Sequence, residues 1–261
     1  MKTFLSIAGS DPSGGAGVQA DIKTASVFGL YAMGAVTALT VQNTTGVKDM
    51  IPAGADAVYR QAEAVFEDIF PDCVKIGMCA DADTVSAIAD LLKRFRPRNV
   101  VLDTILLSTS GHELLSREGA EIMKERLFSM ADIITPNVPE AEYITGEKIE
   151  TRADMERASS ALYEKYGCGV LIKGGHLGGC DVFYDGTLSV FEHKLTDSKN
   201  THGTGCALSS AAACLLALGK TKSEAALGAA RYVVGAIEAG LDLGKGNGPL
   251  DLFYGRRKQY G

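Results

Sequence analysis

The run Asn200-Thr201-His202-Gly203-Thr204-Gly205-Cys206 leads directly into Ala207-Leu208-Ser209-Ser210-Ala211-Ala212-Ala213. Glycines that free the backbone give way to small and apolar residues, so a buried helix must begin near Gly205 or Cys206. The first amides of a helix lack intrahelical partners and carry the positive end of its dipole, which makes this turn a site for an anion. Cys206 stands at that start with two readings open. The helix end lowers its thiol pKa below about 8.5 and makes it a base or nucleophile, or it is a small buried residue, as Cys214 is expected to be.

Further segments of chemical interest lie earlier in the chain. Gly9-Ser10-Asp11-Pro12-Ser13-Gly14-Gly15-Ala16-Gly17 joins a strand to a helix. Gly15-x-Gly17-x-x-Ala20 fits a dinucleotide fingerprint, but residues 24 to 48 hold no Asp or Glu for a ribose hydroxyl. Gly-Lys-Ser/Thr is absent here, so a Walker loop fails too; Gly219-Lys220-Thr221 has the triplet but follows a helix and has Cys214 where the leading glycine belongs. The segment is a plain turn or a ligand-facing loop. In Thr135-Pro136-Asn137-Val138-Pro139-Glu140, the carboxamide and carboxylate can organise a hydrated magnesium ion near phosphates or simply cap a helix. Lys173-Gly174-Gly175-His176 offers a point charge for phosphate oxygens, or a surface lysine that snorkels. His176 reads equally well as packing or chemistry.

These residues need a scaffold that brings them to one edge. Short apolar β-rich runs at 4–8, 36–41, 73–76, 100–102, 133–135 and 170–173 read as strands buried on both faces. Helical spacing marks 18–28, 57–69, 84–95, 114–130 and 154–166 between them. The alternation implies an α/β fold, a doubly wound and mainly parallel sheet flanked by helices, in which all four segments follow strands. Val182–Tyr184, Asp185-Gly186 and Leu188–Phe191 read as a hairpin, followed by long helices over 205–218 and 223–241. No composition shift or repeat divides the chain, so residues 1–261 are expected to form a single domain.

Composition limits the functions available. With 26 Lys+Arg against 32 Asp+Glu the net charge is −6, and no cationic run exists to displace the counterions of a nucleic acid. Nucleic acid is excluded as an expected partner. No stretch approaches the ~20 apolar residues that cross a bilayer, and the opening apolar run stops at Gly9, which suits a strand better than a leader. The 6 cysteines are scattered without C-x-x-C pairs, as expected of buried thiols in a reducing cytoplasm.

An anion cradle, a metal-organising carboxylate, a cation and a candidate base together suit phosphoryl transfer. At this level the sequence resembles the ribokinase superfamily, in which a glycine-rich turn opens a helix and a second motif reads Asn-x-x-Glu. It resembles more closely the hydroxymethylpyrimidine/phosphomethylpyrimidine kinases of thiamine biosynthesis. The words that carry the likeness are 8–17 (AGSDPSGGAG), 37–44 (TALTVQNT), 74–78 (VKIGM), 135–142 (TPNVPEAE), 173–176 (KGGH), 200–206 (NTHGTGC) and 246–250 (GNGPL).

The resemblance implies a ribokinase-like fold, ATP as co-substrate with Mg2+, an aminopyrimidine as the small-molecule substrate, and a homodimer. It gives Gln42 the reading of the aminopyrimidine, for which a carboxamide has both the donor and the acceptor. Asp21, Met78, Gly9 and Asp103 fall on the same substrate side, with Asp21 also readable as a helix-surface carboxylate and Met78 as core filler. It places Cys206 as catalytic base with Gly203, Thr204 and Gly205 as anion-hole amides, Asn137 and Glu140 at magnesium-ATP, and Lys173 on the nucleotide side. Glu140 would reach the metal through water. One departure stands out: the family usually reads Asp-Pro-Val where this chain has Asp103-Thr104-Ile105, so the flap that follows differs. A branch that also phosphorylates pyridoxal often carries a cysteine in that flap, where this chain has Ser108, Thr109 and Ser110. A pyridoxal or pyridoxine kinase is therefore the alternative enzyme, and a non-catalytic pyrimidine or nucleotide sensor the alternative of another class.

Overall fold

The computed structural model describes residues 1–106, 114–175, 177–194 and 198–256. Its centre is a nine-stranded sheet of order β3-β2-β1-β4-β5-β6-β7-β8-β9. The strands are β1 (Thr3–Ser10), β2 (Tyr31–Asn43), β3 (Gly46–Pro52), β4 (Cys73–Ile76), β5 (Val100–Leu102), β6 (Ile133–Ile134), β7 (Gly169–Ile172), β8 (Cys180–Tyr184) and β9 (Leu188–Glu192). From β2 to β7 neighbouring strands are parallel; β3, β8 and β9 join antiparallel. The chain steps from β1 outward to β2, then returns to β4 on the other side of β1. That reversal is the switch point at which open α/β sheets leave a crevice beyond the strands' C-terminal ends.

Helices cover both faces because the inner strands are apolar on both. Phe4, Cys73, Val101, Ile133 and Leu171 pack against α1 (Gly17–Val27), α7 (Thr204–Ala217) and α8 (Lys222–Ala239). Their sequence neighbours Leu5, Val74, Val100, Ile134 and Val170 face the opposite core, built with α2 (Ala55–Asp68), α3 (Ala82–Phe95), α4 (Arg117–Arg126), α5 (Val138–Thr145) and α6 (Arg152–Tyr166). The two-residue alternation of a strand thus fills two cores at once. α7 is buried almost all round, as its run of Ala, Ser and Leu requires.

The expected doubly wound sheet is present, with two differences. Residues 46–52 form a strand that the hydropathy pattern did not show, and β2 is not buried on both faces: Leu39 and Val41 are exposed. The reason is shared. β2 runs on beyond the helical cover, pairs there with β3, and raises one wall above the sheet edge. The helix expected over 114–130 is shorter, α4 ending at Arg126 before a 3-10 turn at Phe128–Met130. Among the described residues no helix is long and apolar enough to cross a membrane.

Candidate active site

The loops after β1, β4, β5, β6 and β7 and the N-terminus of α7 converge on one cleft of about 880 Å3. That volume accommodates a small substrate together with part of a nucleotide. Gly9, Gln42, Met78, Asp103, Asn137, Glu140, Lys173, Gly203, Thr204, Gly205 and Cys206 all line it.

The first glycine loop is organised by Asp11. Its carboxylate accepts hydrogen bonds from the amides of Ser13, Gly15 and Ala16 and from the Ser13 hydroxyl. His202 Nε2 stands 2.7 Å from Asp11 Oδ2 and ties this loop to the second one. Burial alone would raise the Asp11 pKa, but the bonds from His202, Ser13 and Ala16 win and hold it at about 2. Asp11 therefore shapes the loop rather than facing solvent. Gln42 Nε2 lies 3.3 Å from His202 Nε2, and the Thr40 hydroxyl donates to Gln42 Oε1. The carboxamide is thus oriented on the β2 wall. His202, which the reading of the motif left without a role, joins the two glycine loops to the proposed pyrimidine reader.

At the entrance to α7, Gly203 adopts φ +88° as N-cap, a conformation side chains disfavour. The Thr204 amide turns back to the Thr201 carbonyl at 3.3 Å. Among the described residues no acceptor meets the amides of Gly205 and Cys206, so these two, rather than Thr204, are available to an anion. The expectation of a lowered Cys206 pKa is not met. Burial pushes the thiol up to about 11; the Lys75 ammonium pulls against it, Asp21 and Asp103 add to it, and the Gly17 amide pulls against it. A side chain only 9% exposed loses much of the solvation a thiolate needs, and that loss outweighs the pull of Lys75 and of the Gly17 amide.

The strand ends carry the charged groups. Asp103 follows β5 and accepts from Thr135 after β6 (2.9 Å), Lys173 after β7 (3.0 Å) and Ser209 of α7 (3.3 Å). Burial opposes its ionisation, but Lys173 and then Lys75 prevail and lower its pKa. Asn137 caps α5, with Glu140 returning the bond in a capping box, so the capping reading of that motif holds. Capping does not exhaust Glu140, whose Oε2 also accepts from the Thr104 hydroxyl at 3.2 Å. Burial pushes its carboxyl up to about 7, with Lys173 opposing and Asp103 adding. A buried acid on the cleft wall suits a divalent cation held chiefly by water and phosphate oxygens. No cluster of three or more His, Cys, Asp or Glu able to hold a metal exists among the described residues.

Asp21 is placed differently from its expected position. It lies beneath the cleft, fully buried, rather than on its lining or on a helix surface. It pairs with Lys75 Nζ at 2.9 and 2.8 Å and accepts from Ser6 and Ser210. Lys75 was signalled in the sequence, as a lysine inside an apolar strand, but received no role. His176 and the flap residues Ser108, Thr109 and Ser110 lie outside the described residues.

A helix-flanked nine-stranded sheet with its cleft at the switch point and a glycine-built helix entrance places the chain in the ribokinase-like class of α/β proteins. Residues 11–251 match the family Phosphomethylpyrimidine kinase, and the chain belongs to it. A hydroxymethylpyrimidine/phosphomethylpyrimidine kinase of Rhizobium meliloti is 43% identical over 257 residues, 96% of each chain. The crystal structure of a phosphomethylpyrimidine kinase from Clostridium difficile superposes with TM-score 0.81 at 41% identity, over 91% of this chain and 100% of that one. A pyridoxal kinase of Staphylococcus aureus, solved with AMP-PCP and pyridoxal, gives TM-score 0.90 at 31% identity, over 98% and 95%. The chain spans 52% of the length of a 43% identical bifunctional thiamine biosynthesis protein of Geobacter sulfurreducens.

Proposed function

We propose that this chain is a kinase that transfers the γ-phosphoryl group of ATP to the hydroxymethyl group of 4-amino-5-hydroxymethyl-2-methylpyrimidine, and then to the resulting monophosphate. The observation that carries the reading is the meeting of Gln42, Cys206 and the open amides of Gly205 and Cys206 in one cleft, in a chain of this family. Gln42 pairs with the aminopyrimidine edge, Gly9 and Met78 flank the ring, and Asp103 sits at the cleft floor. Gly203 holds the turn so that the Gly205 and Cys206 amides stabilise charge on the moving group. Lys173 faces the phosphates; Asn137 and Glu140 form the nucleotide side, where Glu140 would hold Mg2+ through water. When bound, that ion neutralises phosphate charge. A homodimer of single-domain chains acting in the cytoplasm completes the proposal.

Cys206 acts as the base, which its raised pKa makes a scarce but strong one. A thiol pushed up to about 11 is almost wholly protonated at pH 7.5, so turnover climbs with pH through the neutral range. Replacing Cys206 with Ala leaves the fold intact and slows ADP release by about 10²–10⁴-fold. Wild-type turnover in that protein removes the thiol from the mechanism. The likeness to pyridoxal kinase favours a second reading, phosphorylation of pyridoxal, in which Gln42 would meet a ring lacking the aminopyrimidine pattern. Rates on the two substrates, measured side by side by coupled ADP release, separate them.

A further inference from the structure

β4 is buried on both faces, yet it carries a lysine. On the face toward α1 and α7 the neighbours Phe4, Cys73, Val101, Ile133 and Leu171 are apolar. In their midst Ser6 of β1 stands in register with Lys75 of β4, and both meet Asp21 of α1. Ser210 of α7 closes the group by donating to Asp21 Oδ1 at 2.8 Å. All four residues have no solvent exposure. A buried ion pair is a weak source of stability, because desolvation offsets most of the attraction. The cost invites a question about what the charge does.

Geometry directs it toward the cleft edge at which the thiol stands. A Cβ on Gly77 would stand 2.8 Å from Lys75 Nζ and 3.4 Å from its Cε. Gly77 lies two residues beyond Lys75 on the same face, so the side chain runs toward the C-terminal edge of β4, where the cleft opens. Ser210, which binds the pair, lies one turn beyond Cys206 on the same face of α7. The charged groups facing the thiol are Lys75 from β4, Asp21 from α1, Asp103 after β5 and Lys173 after β7. The pair thus lies beneath the first turns of α7 with Lys75 Nζ toward the cleft edge, and its ammonium opposes the rise of the thiol's pKa.

We propose that Lys75, held by Asp21, Ser6 and Ser210, is a positioning residue whose fixed charge beneath Cys206 stabilises the thiolate that receives the substrate's hydroxyl proton. The proposal rests on the reading of Cys206 as base. In the step concerned the substrate O–H bond breaks as S–H forms at Cys206. The substrate oxygen bonds to the γ-phosphorus as the bond to the β-γ bridging oxygen breaks, and ADP leaves with that electron pair.

The test is the protein with Lys75→Met and Asp21→Asn together, which removes the charges without stranding either one. Its folding is checked by thermal melting. Two pH profiles are read: kcat for the pyrimidine with magnesium-ATP, and alkylation of Cys206 by iodoacetamide followed by mass spectrometry, which requires no turnover. Expected is an upward displacement of both profiles by about half a unit, the surplus of the lysine's field over the aspartate's. The rate then falls about threefold at pH 7.5 and recovers at high pH, with KM for ATP unchanged. A folded protein with unmoved profiles, or a rate loss equal at every pH, overturns the proposal. If the double variant does not fold, Ser210→Ala replaces it. Without that hydroxyl the Asp21 charge acts more fully on the thiol, so a displacement in the same direction worth about twofold is expected. An unmoved profile there overturns the proposal as well. Full turnover by Cys206→Ala overturns the base reading itself. An inactive Cys206→Ala protein with unmoved profiles in the double variant overturns only the role of Lys75.

Discussion

Replacing Gly203 with Ala should damage catalysis far more than folding. The residue has φ +88°, and an added Cβ would overlap the Gly15 carbonyl oxygen, standing 2.9 Å from that carbonyl's carbon and 3.4 Å from Ala16 Cα. The left-handed conformation alone costs about 1–3 kcal/mol for a residue with a side chain. A carbon and a carbonyl oxygen approach no closer than about 3.3 Å, so the first glycine loop must retreat by about 1.5 Å or the α7 entrance must shift by as much. Either movement passes along the bonds that Asp11 accepts from Gly15, Ala16 and His202, and so reaches Gln42, whose Nε2 lies 3.3 Å from the same His202 nitrogen. A misplacement near 1 Å costs reacting groups about 10²-fold. Expected, then, are a melting temperature lower by about 5 °C and kcat/KM for the pyrimidine lower by about 10²-fold, by circular dichroism and coupled ADP release. Gly146→Ala is the control. Gly146 also has positive φ, at +76°, but its Cβ would meet nothing within 4 Å, so strain appears there without displacement of the cleft. Equal turnover in the two variants would refute the idea that contact between the glycine loops sets the reacting geometry.

Gln42→Ala should raise KM for the aminopyrimidine about tenfold or more while leaving KM for ATP in place, since a lost bidentate pair is worth about 1–3 kcal/mol; equal changes in both constants argue against Gln42 as the ring reader. Glu140 gives a stability signature in the absence of nucleotide. Its folded pKa of about 7 exceeds the unfolded value near 4.3, so between those values the folded state keeps a proton that the unfolded state has released. Stability therefore falls as pH rises through that window, by about 4 kcal/mol in all. Glu140→Gln should abolish this slope in a comparison of melting temperatures from pH 4 to 8, and a parallel slope in both proteins assigns it to other groups.

Much of the site was legible because glycines, prolines and strand endings mark where a chain must turn, and an open parallel sheet sends such turns to one edge. The Asn137 cap, the Lys173 strand end and the α7 entrance all lie where their local sequence placed them. β3 escaped because its sequence, Gly-Val-Lys-Asp-Met-Ile-Pro, lacks a buried face to write into its pattern; it exists by pairing with β2. Asp21 escaped for the opposite reason. On an amphipathic helix a carboxylate ordinarily faces water, and only the lysine across the core explains why this one does not.

The thiol shows where reading by motif reaches its limit. A helix N-terminus and a nearby cation both favour ionisation, and both are present at Cys206, yet the proton is held more tightly than in water. The helix contribution can be inferred from a handful of adjacent residues. The opposing desolvation comes from the elements packed against α7, among them β4 and α1, which are distant in sequence. Two effects of opposite sign with such different reach cannot be summed from a local motif. The same comparison explains the placement of Lys75: inside so apolar a core, a fixed cation is among the few means of lowering the cost of a thiolate without letting in water that would compete for the phosphoryl group.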